Sequence, residues 1–201
     1  MQTYTKQVEE KRLVIEYDAD AESPRQDDNI GHFFTKESRY KSPDGNVHEL
    51  YRLMLATEDE ARDTKNHIEL MKKAARLAFL ETKNEDLHVI EIHPIYRYEH
   101  SNVVYKRGQA AGFDYANCGF YFVTAQSLSG RTETAKSIAK AIDNELECYT
   151  QWANGEIYQF MLYDKDGDEV ESAGGFYSLD DIKGYLGEEW EKENMADYFK
   201  S

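Results

Sequence analysis

Apolar and β-branched residues along this chain fall into short runs, most of them bounded by turn residues, and only two or three stretches carry a helical period. Leu13 to Tyr17, reading Leu-Val-Ile-Glu-Tyr, predicts a strand that opens into the polar stretch DADAESPRQDDN, where Pro24 and the Asp/Asn cluster mark a loop. Gly31 to Thr35 predicts a second short strand, closed by a Ser42-Pro43-Asp44-Gly45 turn. Residues 47–56 are apolar in too many consecutive places for their period to decide, and we read them as helix. Thr57-Glu58-Asp59-Glu60 fits a capping box, in which the Thr hydroxyl and the Glu carboxylate satisfy each other's end of the first turn. A helix then follows to about Thr82, with Ala61, Ile68, Met71, Ala75 and Ala78 or Phe79 on its apolar face.

From Leu87 to Tyr98 the chain is β-rich, and His100-Ser101-Asn102 turns it into Val103-Val104-Tyr105, which predicts a hairpin. Phe120 to Val123 is a further strand. Thr132 is placed to cap the clearest helix, whose stripe of Ala135, Ile138, Ala139, Ile142, Leu146 and Tyr149 runs to a left-handed stop at Asn154-Gly155. Ile157–Tyr163 and Glu169–Tyr177 flank Asp164-Lys165-Asp166-Gly167-Asp168, whose Asp-Gly step favours a tight antiparallel turn. Ser178-Leu179-Asp180-Asp181 then resembles a capping box for a short helix with Leu179, Ile182 and Leu186 inward. Strands joined by short turns and interrupted by helices predict an α+β fold: an antiparallel sheet with two to three helices packed on one face.

Composition adds bounds. At 201 residues, with fifteen Tyr and nine Phe, the chain has enough large side chains for one core, and no linker or repeat divides it, so residues 1–201 are expected to form a single domain. Cys118 and Cys148 have neither CxxC nor Cys/His spacing and are expected to be reduced and structural. The charged start MQTYTKQVEEKRLVIEY lacks a signal-peptide core, and no apolar run approaches a membrane span, which leads to the expectation of a cytoplasmic protein. The formal charge is −15, and residues 151–201 hold thirteen acids against four lysines. Such a field repels nucleic-acid phosphate and favours basic partners.

Candidate chemistry is sparse. DKDGDEVE places three Asp within five residues, but Gly falls fourth rather than sixth and the twelfth position is Gly175, so a hairpin turn is favoured over an EF-hand loop. His88 and His93 are five apart on a predicted strand and therefore point to opposite faces. Glu22, Arg25, Asp27, Asp28 and Asn29 share one loop, a candidate site for metal-binding or acid/base carboxylates; loop carboxylates are ordinarily just solvated, so a structural or binding loop in which Asn29 and Gly31 satisfy the turn is favoured. No GxGxxG, P-loop, HExxH or GxSxG motif occurs. Neither a cofactor nor a catalytic residue is assigned.

The loop ESPRQDDNIG, the YRYEHS turn, the helix end ELECYTQWANGEIYQF and the segment DGDEVESAGGFYS, taken in order, resemble a group of uncharacterised proteins carried by bacteriophages and other mobile elements. The likeness spans Glu22 to Ser178; Ala173-Gly174-Gly175 stands where that group often has Cys-Trp-Gly, and Asp27 replaces a loop aromatic. The resemblance implies a mobile-element setting and no activity. With the acidic C-terminal part, it leads to the expectation of a non-enzymatic interaction protein that binds a basic or nucleic-acid-handling protein, as a DNA mimic in its sharpest form. The residues expected to bind that partner are Asp164, Asp166, Asp168, Glu169, Asp180, Asp181, Glu188, Glu189, Glu191 and Glu193. The alternatives are a metal-dependent enzyme built on the loop carboxylates and histidines, and a self-associating scaffold.

Overall fold

A computed structural model describes residues 3–8, 10–26, 28–35, 43–44, 72–73, 75–77, 79–80, 86–108, 115–187 and 190. The predicted helix over 47–56, the Thr57 capping box and the helix end near Thr82 lie outside them, as do Asp27, Glu188, Glu189, Glu191 and Glu193. The fold is α+β with antiparallel sheets, and its strands are shared between two of them. The chain forms two compact units, Met1–Pro24 with Cys148–Ser201, and Arg25–Glu147.

In the first unit the sheet order is β1 (Thr3–Val8), β2 (Lys11–Tyr17), β7 (Tyr158–Tyr163), β8 (Glu169–Phe176), with every neighbouring pair antiparallel. Leu13 pairs with Leu162 and Ile15 with Phe160, so the alternation of each strand puts these four on one face. That face is closed by Ile182 and by Trp190, both fully buried. Ile182 sits on α2 (Leu179–Leu186), whose start is fixed by the expected Ser178 cap: the Ser178 hydroxyl accepts from the Asp181 N–H at 3.1 Å and donates to the Asp181 carboxylate at 2.7 Å.

In the second unit the order is β3 (His32–Thr35), β6 (Tyr115–Thr124), β4 (Val89–Glu99), β5 (Val103–Arg107), again antiparallel throughout. The β4–β5 hairpin is the one predicted around His100–Asn102. Successive aromatics at 120, 121 and 122 make both faces of β6 apolar, and both are covered. Phe120 and Phe122 pack with Phe34, Leu87, Val89 and Ile92 against Ala75 and Phe79, which come from the helical residues between 72 and 80. Tyr121 faces the other way, beside Phe33 and the helix α1 (Ala135–Ala153). Helix α1 starts two residues later than Thr132 predicts. Thr134 is the cap, because Ser137 three residues on completes a reciprocal pair: Ser137 N–H to Thr134 Oγ1 at 3.1 Å and Thr134 N–H to Ser137 Oγ at 2.8 Å. Cys118 and Cys148 are not joined in a disulfide.

Candidate functional site

The loop that follows β2 divides its polar residues between different tasks. Arg25, in a short 3-10 turn (Pro24–Gln26), is buried, and all five of its N–H donors are engaged. Nε and Nη2 form a bidentate pair with Asp44 at 3.0 and 2.8 Å, Nη1 reaches Asn29 at 2.7 Å and Glu145 at 2.8 Å, and Nη2 also reaches the Gly31 carbonyl at 2.7 Å. The Tyr121 ring centroid lies 5.5 Å from the guanidinium carbon. Glu145 accepts in addition from the Ile30 N–H at 2.6 Å and from the Tyr121 hydroxyl, and Asp44 from the Phe33 N–H. Burial alone would lower the Arg25 pKa, but the Asp44 hydrogen bond and the surrounding negative charge hold it above its ordinary value. Burial, reinforced by the Glu145 charge, pushes the Tyr121 phenol up as well. With every donor occupied, this knot ties β3 and α1 to the loop and offers an anion no vacant N–H. Of the other loop residues, Asp28 is exposed and pairs with Arg131 at 2.5 Å, and Glu22 is exposed in the first unit.

The histidines are likewise spread out. His93 contacts Glu91 at 2.9 Å, His32 packs on Phe79 with ring centroids 5.4 Å apart, and His88 precedes β4 at the surface. Among the described residues no three His, Cys, Asp or Glu side chains are grouped so as to hold a metal ion.

The acidic segment after residue 163 forms the turn and outer strand of the first sheet. Asp164 turns inward: its carboxylate accepts from the Asp166 N–H at 2.9 Å and the Asp168 N–H at 3.0 Å, while Gly167 takes the left-handed conformation at φ 89°. Asp164 is thereby a structural residue of the Asp-Gly turn. Asp166, Asp168, Glu169 and Glu171 are exposed, on the turn and on β8, which is the edge of its sheet. Asp180 and Asp181 lie in the first turn of α2, where negative charge complements the helix dipole, and Asp180 is 3.8 Å from Lys183.

A feature that the sequence reading missed lies where β2 ends and α1 stops. Tyr17, Asp18, Ala19, Ala21, Trp152, Gly155 and Ile157 line a cavity of about 370 Å³. Gly155, at φ 69°, terminates α1: the Glu156 N–H donates to the Gln151 carbonyl at 2.8 Å and the Gly155 N–H to Trp152 at 3.0 Å. The Trp152 indole N–H donates to the Ala21 carbonyl at 2.9 Å, and the ring lies 5.5 Å from Tyr149. Tyr17 stacks on Tyr158 at 5.2 Å. The Asp18 carboxylate accepts from the Asp20 N–H at 3.1 Å through one oxygen and from the Gly175 N–H at 3.0 Å through the other. A tryptophan beside the Asn154-Gly155 stop was the one signal in the sequence for this place.

Comparison with family models, with curated proteins and with solved structures found no match to the chain. No described helix is long and apolar enough to cross a membrane.

Proposed function

We propose that the chain is a non-enzymatic interaction protein of phage or mobile-element type, whose acidic β7–β8 hairpin engages the basic surface of a nucleic-acid-handling protein in place of nucleic acid. The observation that supports this most is the exposure of Asp166, Asp168, Glu169 and Glu171 on one turn and one sheet edge, with Lys165 the lone cation of that hairpin. Carboxylates held on a hairpin are displayed at fixed spacings, as a phosphate mimic requires. Acids on an edge strand also discourage edge-to-edge pairing, which explains part of their presence by solubility alone.

Displacement separates the two roles. A fluorescently labelled DNA duplex is bound to a basic, sequence-independent DNA-binding protein of a bacterial host, and the chain is titrated in while anisotropy is followed. The wild type releases the duplex, most effectively at low salt, and a D166N/D168N/E169Q/E171Q variant does so about tenfold less effectively or worse. If the wild type releases no duplex from a panel of such proteins, or the variant matches it, the acidic hairpin is a solubility feature and the reading is wrong.

A further inference from the structure

The cavity at the end of β2 combines a carboxylate with aromatic and apolar walls. Its lining carries one charged side chain, Asp18, and two large aromatics, Tyr17 and Trp152, with Ala21 and the buried Ile157 as apolar wall. Each Asp18 oxygen is used by one backbone N–H, and a carboxylate has about four lone-pair directions, so two remain for a ligand. The aromatics are braced in advance, Tyr17 by stacking on Tyr158 and Trp152 by its bond to Ala21, so little ordering is left to the moment of binding. Aromatic rings attract a guanidinium or ammonium group, the carboxylate neutralises it, and the apolar wall suits a methylene stem. An anion meets Asp18 and is repelled. About 370 Å³ lies at the small end of ligand cavities, room for one side chain rather than a nucleotide.

The cavity is also continuous with the acidic edge strand. Gly175, whose N–H donates to Asp18, sits on β8, six residues along from Glu169, roughly 20 Å of extended chain. Gly174 permits this approach, since a Cβ there would fall 2.4 Å from the Asp18 carboxylate. We infer that the cavity takes one arginine or lysine side chain of the basic partner, from a segment that lies along β8 with its remaining cations against Glu171 and Glu169. The inference rests on the function proposed above and names the residue class it would recognise.

The test uses the two tryptophans as reporters, because Trp190 is fully buried in the first unit's core and serves as an internal reference. The ¹⁵N-labelled chain is titrated with Nα-acetyl-arginine amide, Nα-acetyl-lysine amide and, as the neutral control, Nα-acetyl-glutamine amide. The Trp152 indole signal shifts saturably with the first two and not with the third, while Trp190 stays in place. Asp18→Asn weakens the binding about tenfold or more. Because Asp18 also holds β8, a second variant fills the exposed rim instead: Ala19→Phe keeps the carboxylate and its bonds and abolishes the titration at unchanged melting temperature. No Trp152 shift, an equal shift with the glutamine probe, or full binding by Ala19→Phe overturns the inference. The D166N/D168N/E169Q/E171Q variant separates this outcome from the fate of the proposed function. It retains the Trp152 titration while losing duplex displacement. Displacement without any titration removes the cavity alone, and titration in a chain that displaces no duplex removes the protein partner, and with it the assignment of the occupant to a protein side chain.

Discussion

Arg25 joins two carboxylates, an amide side chain and a backbone carbonyl of the second unit. Its side chain is 4% exposed, and the two carboxylates that neutralise it, Asp44 and Glu145, are 12% and 18% exposed. Removing the guanidinium takes the cation away from two acids in a poorly solvated place, which is the costly way to break a buried pair. Arg25→Met is expected to lower stability by about 3–5 kcal/mol, read from the urea midpoint. Arg25→Lys keeps the charge but brings three donors to a site that uses five, so it falls between. A loss under about 1 kcal/mol for the Met variant would show that the knot is an ornament on a loop held by other means. Tyr158 gives a pH signature in the first unit. Burial, followed by the neighbouring Tyr17, pushes its phenol up from 10.0 to about 12. Between those values the folded chain keeps a proton that the unfolded chain has lost, so stability is unaffected below the lower value and falls as pH rises through the window. Melting temperatures of the wild type and Tyr158→Phe at about pH 9, 10 and 11 check the sign, the variant showing the shallower decline.

At the scale of elements, two glycines with opposite surroundings make a paired prediction. Gly119 lies in β6 against the four-residue edge strand β3, and a Cβ there would fall 1.9 Å from the Phe34 carbonyl oxygen and 2.8 Å from the Thr35 Cα. Both are backbone atoms and cannot swing aside. Gly119→Ala therefore forces β3 from its partner, at a cost of about 1–3 kcal/mol or more, and speeds amide exchange at residues 32–35. Gly184 sits in α2 with nothing within 4 Å of its added Cβ, so Gly184→Ala is expected to stabilise by about 0.5–1 kcal/mol. Denaturant midpoints that moved in the same direction for both would contradict the packing described. Elements defined by neighbouring residues were legible in the sequence: the Asp-Gly turn of β7–β8, the Asn154-Gly155 stop and the Ser178 cap. The α1 start was misplaced because Thr132 and Thr134 are both able to cap, and Ser137 decides between them. What stayed hidden was long-range. Alternation reveals a strand but not its partner, so the pairing of β2 with β7, which builds a second sheet, left no local mark. Arg25 finds Glu145 across 120 residues and Trp152 finds Ala21 across 131, and neither spacing leaves a pattern in the chain.

For the whole molecule, the excess of 39 acids over 24 bases is the property from which the functional reading grows, and it has a consequence that needs no partner to measure. Like charges confined to a folded chain repel one another more than they do in the expanded unfolded chain, so an unbalanced surface destabilises the compact state. The range of that repulsion is about 30 Å at 0.01 M salt and about 8 Å at 0.15 M. Local ion pairs act in the opposite sense, since salt weakens them. Among the described residues, Arg76–Asp86, Arg107–Asp143, Arg131–Asp28, Arg97–Glu99 and Lys183–Asp180 each have at least one exposed partner, and such pairs contribute about 0–1 kcal/mol. Repulsion is expected to win. Raising sodium chloride from about 0.01 to 0.15 M should therefore raise the melting temperature, and the D166N/D168N/E169Q/E171Q variant, with four fewer charges on the hairpin, should start higher and respond less. A melting temperature that falls with added salt would mean that the acids are matched by nearby cations over most of the surface. The hairpin would then present no field for a basic partner to follow, and weaker duplex displacement by the neutralised variant would no longer be expected.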